Sequence, residues 1–161
     1  MTTMGRGAAA FLAAMAAHWW WTTHMPLFGT APQLLLVLTV IAAARRGPVR
    51  AMCAGFAWGL FLDLLNARLF GANALALTLV GYGTGSIRRQ VDVTGVGPQT
   101  VVIFSMTWVY FLMIGLLARV FQSQFLWVGW TQFMIDPFYN CFVGLIVAVA
   151  WRPTWEHSRS R

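Results

Sequence analysis

The sequence predicts an all-α membrane protein built as one bundle of six transmembrane helices. The first observation is composition: 59% of the 161 residues are hydrophobic and only 9% are charged, whereas soluble domains contain about 25% charged residues. The second is the spacing of the charges, because residues 7–44 contain no Asp, Glu, Lys or Arg. A bilayer core about 30 Å thick is crossed by about 20 largely apolar residues, so this interval holds two spans. The third is that the arginines lie at the ends of apolar runs, which is typical of membrane proteins.

The apolar runs and the polar turns between them predict spans at residues 8–21, 32–44, 51–65, 71–87, 97–118 and 133–151. The first run resembles a secretory signal, but more membrane sequence follows it, so we expect an uncleaved helix. Predicted helices 2 and 3 are short for a bilayer, which requires local thinning of the bilayer or shielding by neighbouring helices. The main alternative has five spans, with helix 3 as a re-entrant element. We expect a single domain over residues 1–161.

The distribution of arginines predicts the orientation. With both termini in the cytoplasm, nine of the eleven arginines fall in inner segments, and Arg68 and Arg119 fall outside. The positive-inside rule favours this arrangement. Its inner loops carry the residues that we expect to set the topology, namely Arg45, Arg46, Arg50, Arg88 and Arg89. These cations are scattered singly or in pairs rather than along one stripe with aromatic residues, so the net charge of +7 does not indicate nucleic-acid binding.

Glycines form matching stripes on predicted helices 3 and 4. Gly55, Gly59 and Asp63 recur every four residues and therefore share one helix face. Gly81 and Gly85 give helix 4 a similar stripe. Because small residues allow close helix approach in membranes, we expect these faces to pack together, or against a partner chain.

Asp63 is the only acidic residue among the first 91 residues, and a carboxylate within a span is costly. Three interpretations remain open. In the first, the carboxylate pairs with Arg68 or binds free amides of the short turn. In the second it contacts a partner, and in the third it takes part in ion or proton chemistry. Structural pairing or capping is the interpretation that the sequence favours.

Asp136 stands immediately before Pro137, an arrangement that favours a helix start with the acid near its positive end. If helix 6 begins earlier, near Trp130, Asp136 lies within the span and Pro137 lies inside the helix. Asn140 follows one turn later and is placed to hydrogen-bond across helices.

The inventory of reactive groups is thin, so we expect no enzyme, cofactor or metal site. No serine lies in a G-x-S-x-G setting, and no Cys/His cluster has metal-ligand spacing. Cys53 and Cys141 lie in apolar segments and are expected to be small buried side chains. Trp58 and Trp108 lie away from the predicted membrane interfaces and are expected to pack inside the bundle.

Residues 55–91 resemble the family of the rod shape-determining protein MreD. The resemblance rests on the run G-F-x-x-G-L-x-x-D-L-L, then L-F-G-x-x-A-L, L-V-G-Y and a pair of arginines. Asn73 departs from the histidine of the family pattern, which puts a polar role of this position in doubt. The matching positions are Gly55, Phe56, Gly59, Leu60, Asp63, Leu64, Leu65, Leu69, Phe70, Gly71, Ala74, Leu75, Leu79, Val80, Gly81, Tyr82, Arg88 and Arg89.

The resemblance implies a non-enzymatic component of the bacterial cell-elongation machinery in the inner membrane. Such a protein binds the single-span protein MreC and is linked to MreB and to RodA with its class B penicillin-binding protein. The implied fold is similar to the substrate-binding component of energy-coupling-factor transporters. The residues expected to serve in partner binding or helix packing are Gly55, Gly59, Asp63, Gly71, Gly81, Tyr82 and Gly85.

The physical pattern is also compatible with a vitamin-binding component of an energy-coupling-factor transporter. That alternative predicts a polar-lined cavity near the outer face. An intramembrane enzyme is a third, more distant possibility.

Overall fold

The computed structural model describes residues 3–24, 32–65, 69–93, 95–123 and 127–150. Within these ranges the chain is all-helical, which confirms the predicted class, and every predicted helix has one counterpart whose ends differ by at most five residues. The helices are α1 (Thr3–His24), α2 (Leu34–Arg46), α3 (Pro48–Leu65), α4 (Ala72–Ile87), α5 (Val96–Gln122) and α6 (Trp130–Ala150).

Three of these helices are long and apolar enough to cross a membrane, judged by length and composition. They are α3, α5 and the Trp130–Val149 part of α6. Helix α3 has 18 residues, which extend about 27 Å at 1.5 Å per residue. It is one continuous helix, as the six-span arrangement requires.

Helix α2 lies at the centre of the bundle and contacts each of the other five helices. Its sequence LLLVLTVIAAARR is apolar on all sides apart from Thr39 and the last two residues, as expected of a helix that is buried all round. Thirteen residues extend only about 20 Å, and the surrounding helices shield this short segment from its environment.

A one-residue link joins α2 to α3. Gly47 adopts a φ of +87°, a left-handed conformation that costs glycine little. Pro48 then begins α3, where a proline fits because the first helical amide needs no partner inside the helix. This sharp corner places the start of α3 beside the end of α2.

The bundle therefore has two distinct ends. The arginine end carries Arg45, Arg46 and Arg50 at the α2–α3 corner, with Arg88 and Arg89 directly after α4. The opposite end, called the polar end, contains the end of α3 and the starts of α2 and α4.

Candidate functional site: the α3–α4 hairpin and the polar end

Helices α3 and α4 form an antiparallel hairpin whose contact is the most extensive of any helix pair in the described chain. A Cβ atom added to Gly55 would lie 2.6 Å from the carbonyl oxygen of Leu77, and one added to Gly85 would lie 2.5 Å from Cα of Pro48. These separations are shorter than van der Waals contact allows. Glycine is therefore required for the two backbones to approach this closely.

The two other stripe glycines lie in the same contact. A Cβ atom on Gly59 would overlap the backbone of Ala74, and one on Gly81 would lie 2.9 Å from the carbonyl carbon of Ala51. The structure thus brings both glycine stripes together inside the chain, so a partner chain cannot occupy either of them.

Asp63 is completely buried at the polar end and binds the first turn of α4. One carboxylate oxygen accepts hydrogen bonds from the amide of Asn73 at 3.1 Å and from its side-chain Nδ2 at 2.8 Å. The other oxygen accepts the amide of Ala74 at 3.1 Å. These are the second and third amides of α4, which have no acceptor within their own helix. A negative charge is also favourable at the positive end of the helix dipole.

Asp63 supplies the cap that the local sequence lacks. The N-cap residue of α4 is Gly71, which has no side chain to accept these amides and adopts a φ of +91°. The amide-capping interpretation of Asp63 is therefore the one that the structure supports. Arg68, the alternative partner, lies outside the described residues.

Asn73 extends this network to a third helix. Its side-chain oxygen accepts a hydrogen bond from the Tyr110 hydroxyl of α5, while its Nδ2 donates to Asp63. Position 73 therefore has a polar role although it departs from the family's histidine. The end of α3, the start of α4 and the middle of α5 are joined by partly buried hydrogen bonds.

Two residues that were grouped with the packing glycines have different surroundings. No other atom lies within 4 Å of a Cβ built on Gly71, so this glycine serves the left-handed turn and does not pack a helix. Tyr82 is 55% exposed on α4 and also lies outside the hairpin contact. The predicted role of both residues in partner binding or helix packing therefore stays a prediction, with partner binding the part that their surroundings leave open.

A second polar cluster caps α2. Asn140 is fully buried, and its Oδ1 accepts the amide of Gln33, the N-cap residue of α2, at 2.8 Å. Its Nδ2 donates to the hydroxyl of Thr107 on α5 at 3.1 Å. The prediction that Asn140 hydrogen-bonds across helices is confirmed.

The expectation that Asp136 and Pro137 begin helix 6 is wrong, and the alternative of an earlier start near Trp130 is confirmed. Helix α6 starts at Trp130, so Pro137 lies inside it, and Asp136 is 2% exposed. A proline within a helix leaves the carbonyl four residues earlier, here that of Phe133, without its backbone donor. The indole N–H of Trp108 donates to this carbonyl at 3.1 Å, which gives a polar role to a tryptophan that was expected only to pack.

The other residues expected to be buried behave differently from one another. Trp58 packs inside the bundle, where its ring stacks on Phe11 of α1 with centroids 5.2 Å apart. Cys53 is exposed on α3, and Cys141 is partly buried. Burial was therefore the wrong expectation for Cys53, because apolar segments in this chain also form its outer surface.

A cavity of about 430 Å³ lies at the polar end. Its wall contains the amide side chains of Gln33, Asn73, Gln122 and Gln132, together with Tyr110 and aromatic and aliphatic residues. Asn73 is already engaged by Asp63 and Tyr110, so part of this polar wall serves the fold.

Comparison with known proteins gives one positive result. The family model described as "rod shape-determining protein MreD" matches residues 7–155 of the 161-residue chain. No curated protein and no solved structure was found to match.

Proposed function

Because the chain belongs to the family of the rod shape-determining protein MreD, we propose that it is a membrane scaffold that binds the single-span protein MreC and regulates its assembly. The family match supports a role in rod shape determination, and it covers nearly the whole chain. It is a shape-determining family rather than a family of enzymes. The proposed scaffold is non-enzymatic and works through the surface that the hairpin presents.

The proposed location is the bacterial inner membrane, with six spans and both termini in the cytoplasm. The gathering of five arginines at one end of the bundle supports this orientation, because basic residues favour the cytoplasmic side. Reporters fused to either terminus should both give cytoplasmic signals. A periplasmic signal from the C-terminal fusion would contradict the six-span arrangement.

The outward face of the hairpin is the surface proposed for MreC. Gly55 faces α4 and Gly81 faces α3, so the residues that follow them, Phe56 and Tyr82, project to the same side of this antiparallel pair. Both are more than half exposed, at 51% and 55%. Leu75 follows the contact residue Ala74 in the same way and is also exposed. Helix α2 contacts both helices of the hairpin, and Gly55 also faces Thr39 of α2.

A membrane helix gains affinity mainly by packing against a preformed surface, because the bilayer itself is apolar. The glycine contacts hold the hairpin closely together, and Asp63 joins the end of α3 to the first turn of α4. The outward face is consequently a rigid platform. We infer that the MreC span lies along Phe56, Leu75 and Tyr82, and that the glycines and Asp63 influence binding only by shaping this platform.

The test is recovery of MreC with the tagged chain from native membranes in mild detergent. The double variant Phe56→Ala/Tyr82→Ala should lower recovery about tenfold or more, as expected for aromatic residues at the centre of an interface. The matched control is Leu112→Ala/Leu116→Ala on α5, where both side chains are 50% exposed. Equal recovery with both double variants would rule out this face as the MreC site.

The same purification tests the wider assembly and the alternative function. Recovery of RodA with its class B penicillin-binding protein, or of MreB, together with MreC would support membership in the elongation complex. The vitamin-binding alternative is favoured by one observation, the amide-lined cavity at the polar end. Recovery of paired ATPases and a membrane coupling subunit would identify that alternative instead.

A further inference from the structure

A second cavity, called the α1 slot, separates α1 from the body of the bundle. It has a volume of about 450 Å³ and lies between α1, α2 and the first half of α3. Helix α1 contributes mostly alanines to it, including Ala10, Ala13 and Ala17, and α2 contributes aliphatic residues such as Leu38 and Ile41. Its volume is in the range of about 300–1,000 Å³ that is typical of ligand sites.

One end of the α1 slot is strongly basic. Arg45, Arg46 and Arg50 line it at the α2–α3 corner. The rest of the wall is apolar, apart from the indole of Trp58. The slot is therefore amphipathic, with apolar sides and a cationic mouth.

The length of the slot corresponds to one leaflet of a bilayer. Its lining follows α2 from Leu34 to Arg45, twelve residues that rise about 16.5 Å at 1.5 Å per step. Half of a hydrocarbon core about 30 Å thick is about 15 Å. A lipid whose headgroup lies at the arginines would place an acyl chain along the full apolar part of the slot.

We propose that the α1 slot binds one anionic phospholipid, with its phosphate headgroup at Arg46 and Arg50 and an acyl chain between α1 and α2. Basic pockets between membrane helices are suited to acidic headgroups, and arginine binds phosphate oxygens through two parallel hydrogen bonds. Helix α1 packs mainly against α2, which leaves the slot open between α1 and the rest of the bundle. The bound lipid fills this space. This inference depends on membrane insertion but not on MreC.

The test uses the purified full-length chain in mild detergent with equal amounts of dioleoylphosphatidylglycerol and dioleoylphosphatidylcholine. Native mass spectrometry counts the lipids that each protein molecule retains. The wild type should retain one phosphatidylglycerol in preference to phosphatidylcholine. Arg50→Gln should lower this preference about fivefold, the effect of one basic residue near an anionic lipid surface. Arg89→Gln removes the same charge from an exposed position at the same end of the bundle, outside the slot, and should leave the preference unchanged.

A second pair of variants tests the apolar part of the slot. Ala13→Phe fills it and should abolish retention of the preferred lipid, whereas Ala16→Phe, on an exposed position of α1 outside the lining, should not. Gel filtration checks that all variants stay folded. Equal effects within either pair would overturn the proposal, because lipid would then bind nonspecifically around the bundle. Loss of MreC recovery in Ala13→Phe, with no lipid retained by the wild type, would assign the slot to a protein helix and would also overturn it.

Discussion

Replacing Asp63 by asparagine tests the capping network with the smallest possible change in shape. The carboxylate of Asp63 accepts three hydrogen bonds, two from amides of the α4 first turn and one from the side chain of Asn73. An asparagine at this position offers one oxygen acceptor and one NH₂ group. One of the three donors therefore meets another donor instead of an acceptor.

The cost follows from two effects. A buried donor that loses its acceptor costs about 1–3 kcal/mol. Loss of the negative charge at the helix N-terminus costs a further 0.3–1 kcal/mol or, in partly buried settings, up to about 2 kcal/mol. Because Asp63 is fully buried, we expect Asp63→Asn to lower the free energy of unfolding by about 2–4 kcal/mol. The chain should still insert into the membrane, and recovery of MreC should fall because the hairpin is loosened.

The assay is reversible unfolding of the purified chain in mixed micelles with increasing mole fraction of denaturing detergent. Gln90→Ala is the control, since it changes an exposed side chain outside the helices. Asn73→Ala supplies the partner for a double-mutant cycle with Asp63→Asn. Residues that share a hydrogen bond show coupling energies of about 0.5–3 kcal/mol.

Two results would refute the reasoning. Asp63→Asn with the same stability as Gln90→Ala would show that the cap contributes nothing to stability. Additive effects of the Asp63 and Asn73 substitutions would show that the two side chains do not interact in the folded protein.

Two further substitutions test close packing and the proline site. Gly59→Ala places a methyl group against a neighbouring backbone and should lower the free energy of unfolding by about 1–3 kcal/mol. Gly83→Ala is the control and should be tolerated, because its new Cβ would be 3.6 Å from the nearest side-chain atom. Equal melting temperatures for these two variants would contradict the close hairpin contact. Trp108→Phe leaves the carbonyl of Phe133 without its side-chain donor and should cost about 1–3 kcal/mol. In a Pro137→Ala background the restored amide donates to that carbonyl, so the loss of stability caused by Trp108→Phe should be smaller. An unchanged loss in the same unfolding assay would exclude the role of Trp108 as the replacement donor.

The sequence predicted the features that depend on neighbours along the chain. Apolar runs and the polar turns between them located all six helices, because the bilayer imposes a minimum apolar length. Four-residue spacing identified the two glycine stripes, since that spacing repeats on one helix face. For Asp63 the sequence left three roles open, and amide capping became specific only when α4 was seen to begin beside the end of α3.

The start of α6 near Trp130 was only the alternative prediction, because a proline after an acid is a common local signal for a helix start. The helix continues through Pro137 because α5 supplies Trp108 as the missing donor to the carbonyl of Phe133. This compensation comes from a residue 25 positions away. Local preference was overridden by a tertiary contact that spacing along the chain does not reveal.

The sequence by itself determined that the chain is a helical membrane protein with a basic end, and its motifs identified the family. The tertiary structure decided which helix is central, which residue caps α2 and which surface of the hairpin remains open. It also brought Arg45 and Arg46 beside Arg50 and an alanine-rich helix to form the α1 slot. The physical reason is that helix formation and apolar length depend on local sequence, whereas caps, cavities and exposed faces depend on which helices become neighbours.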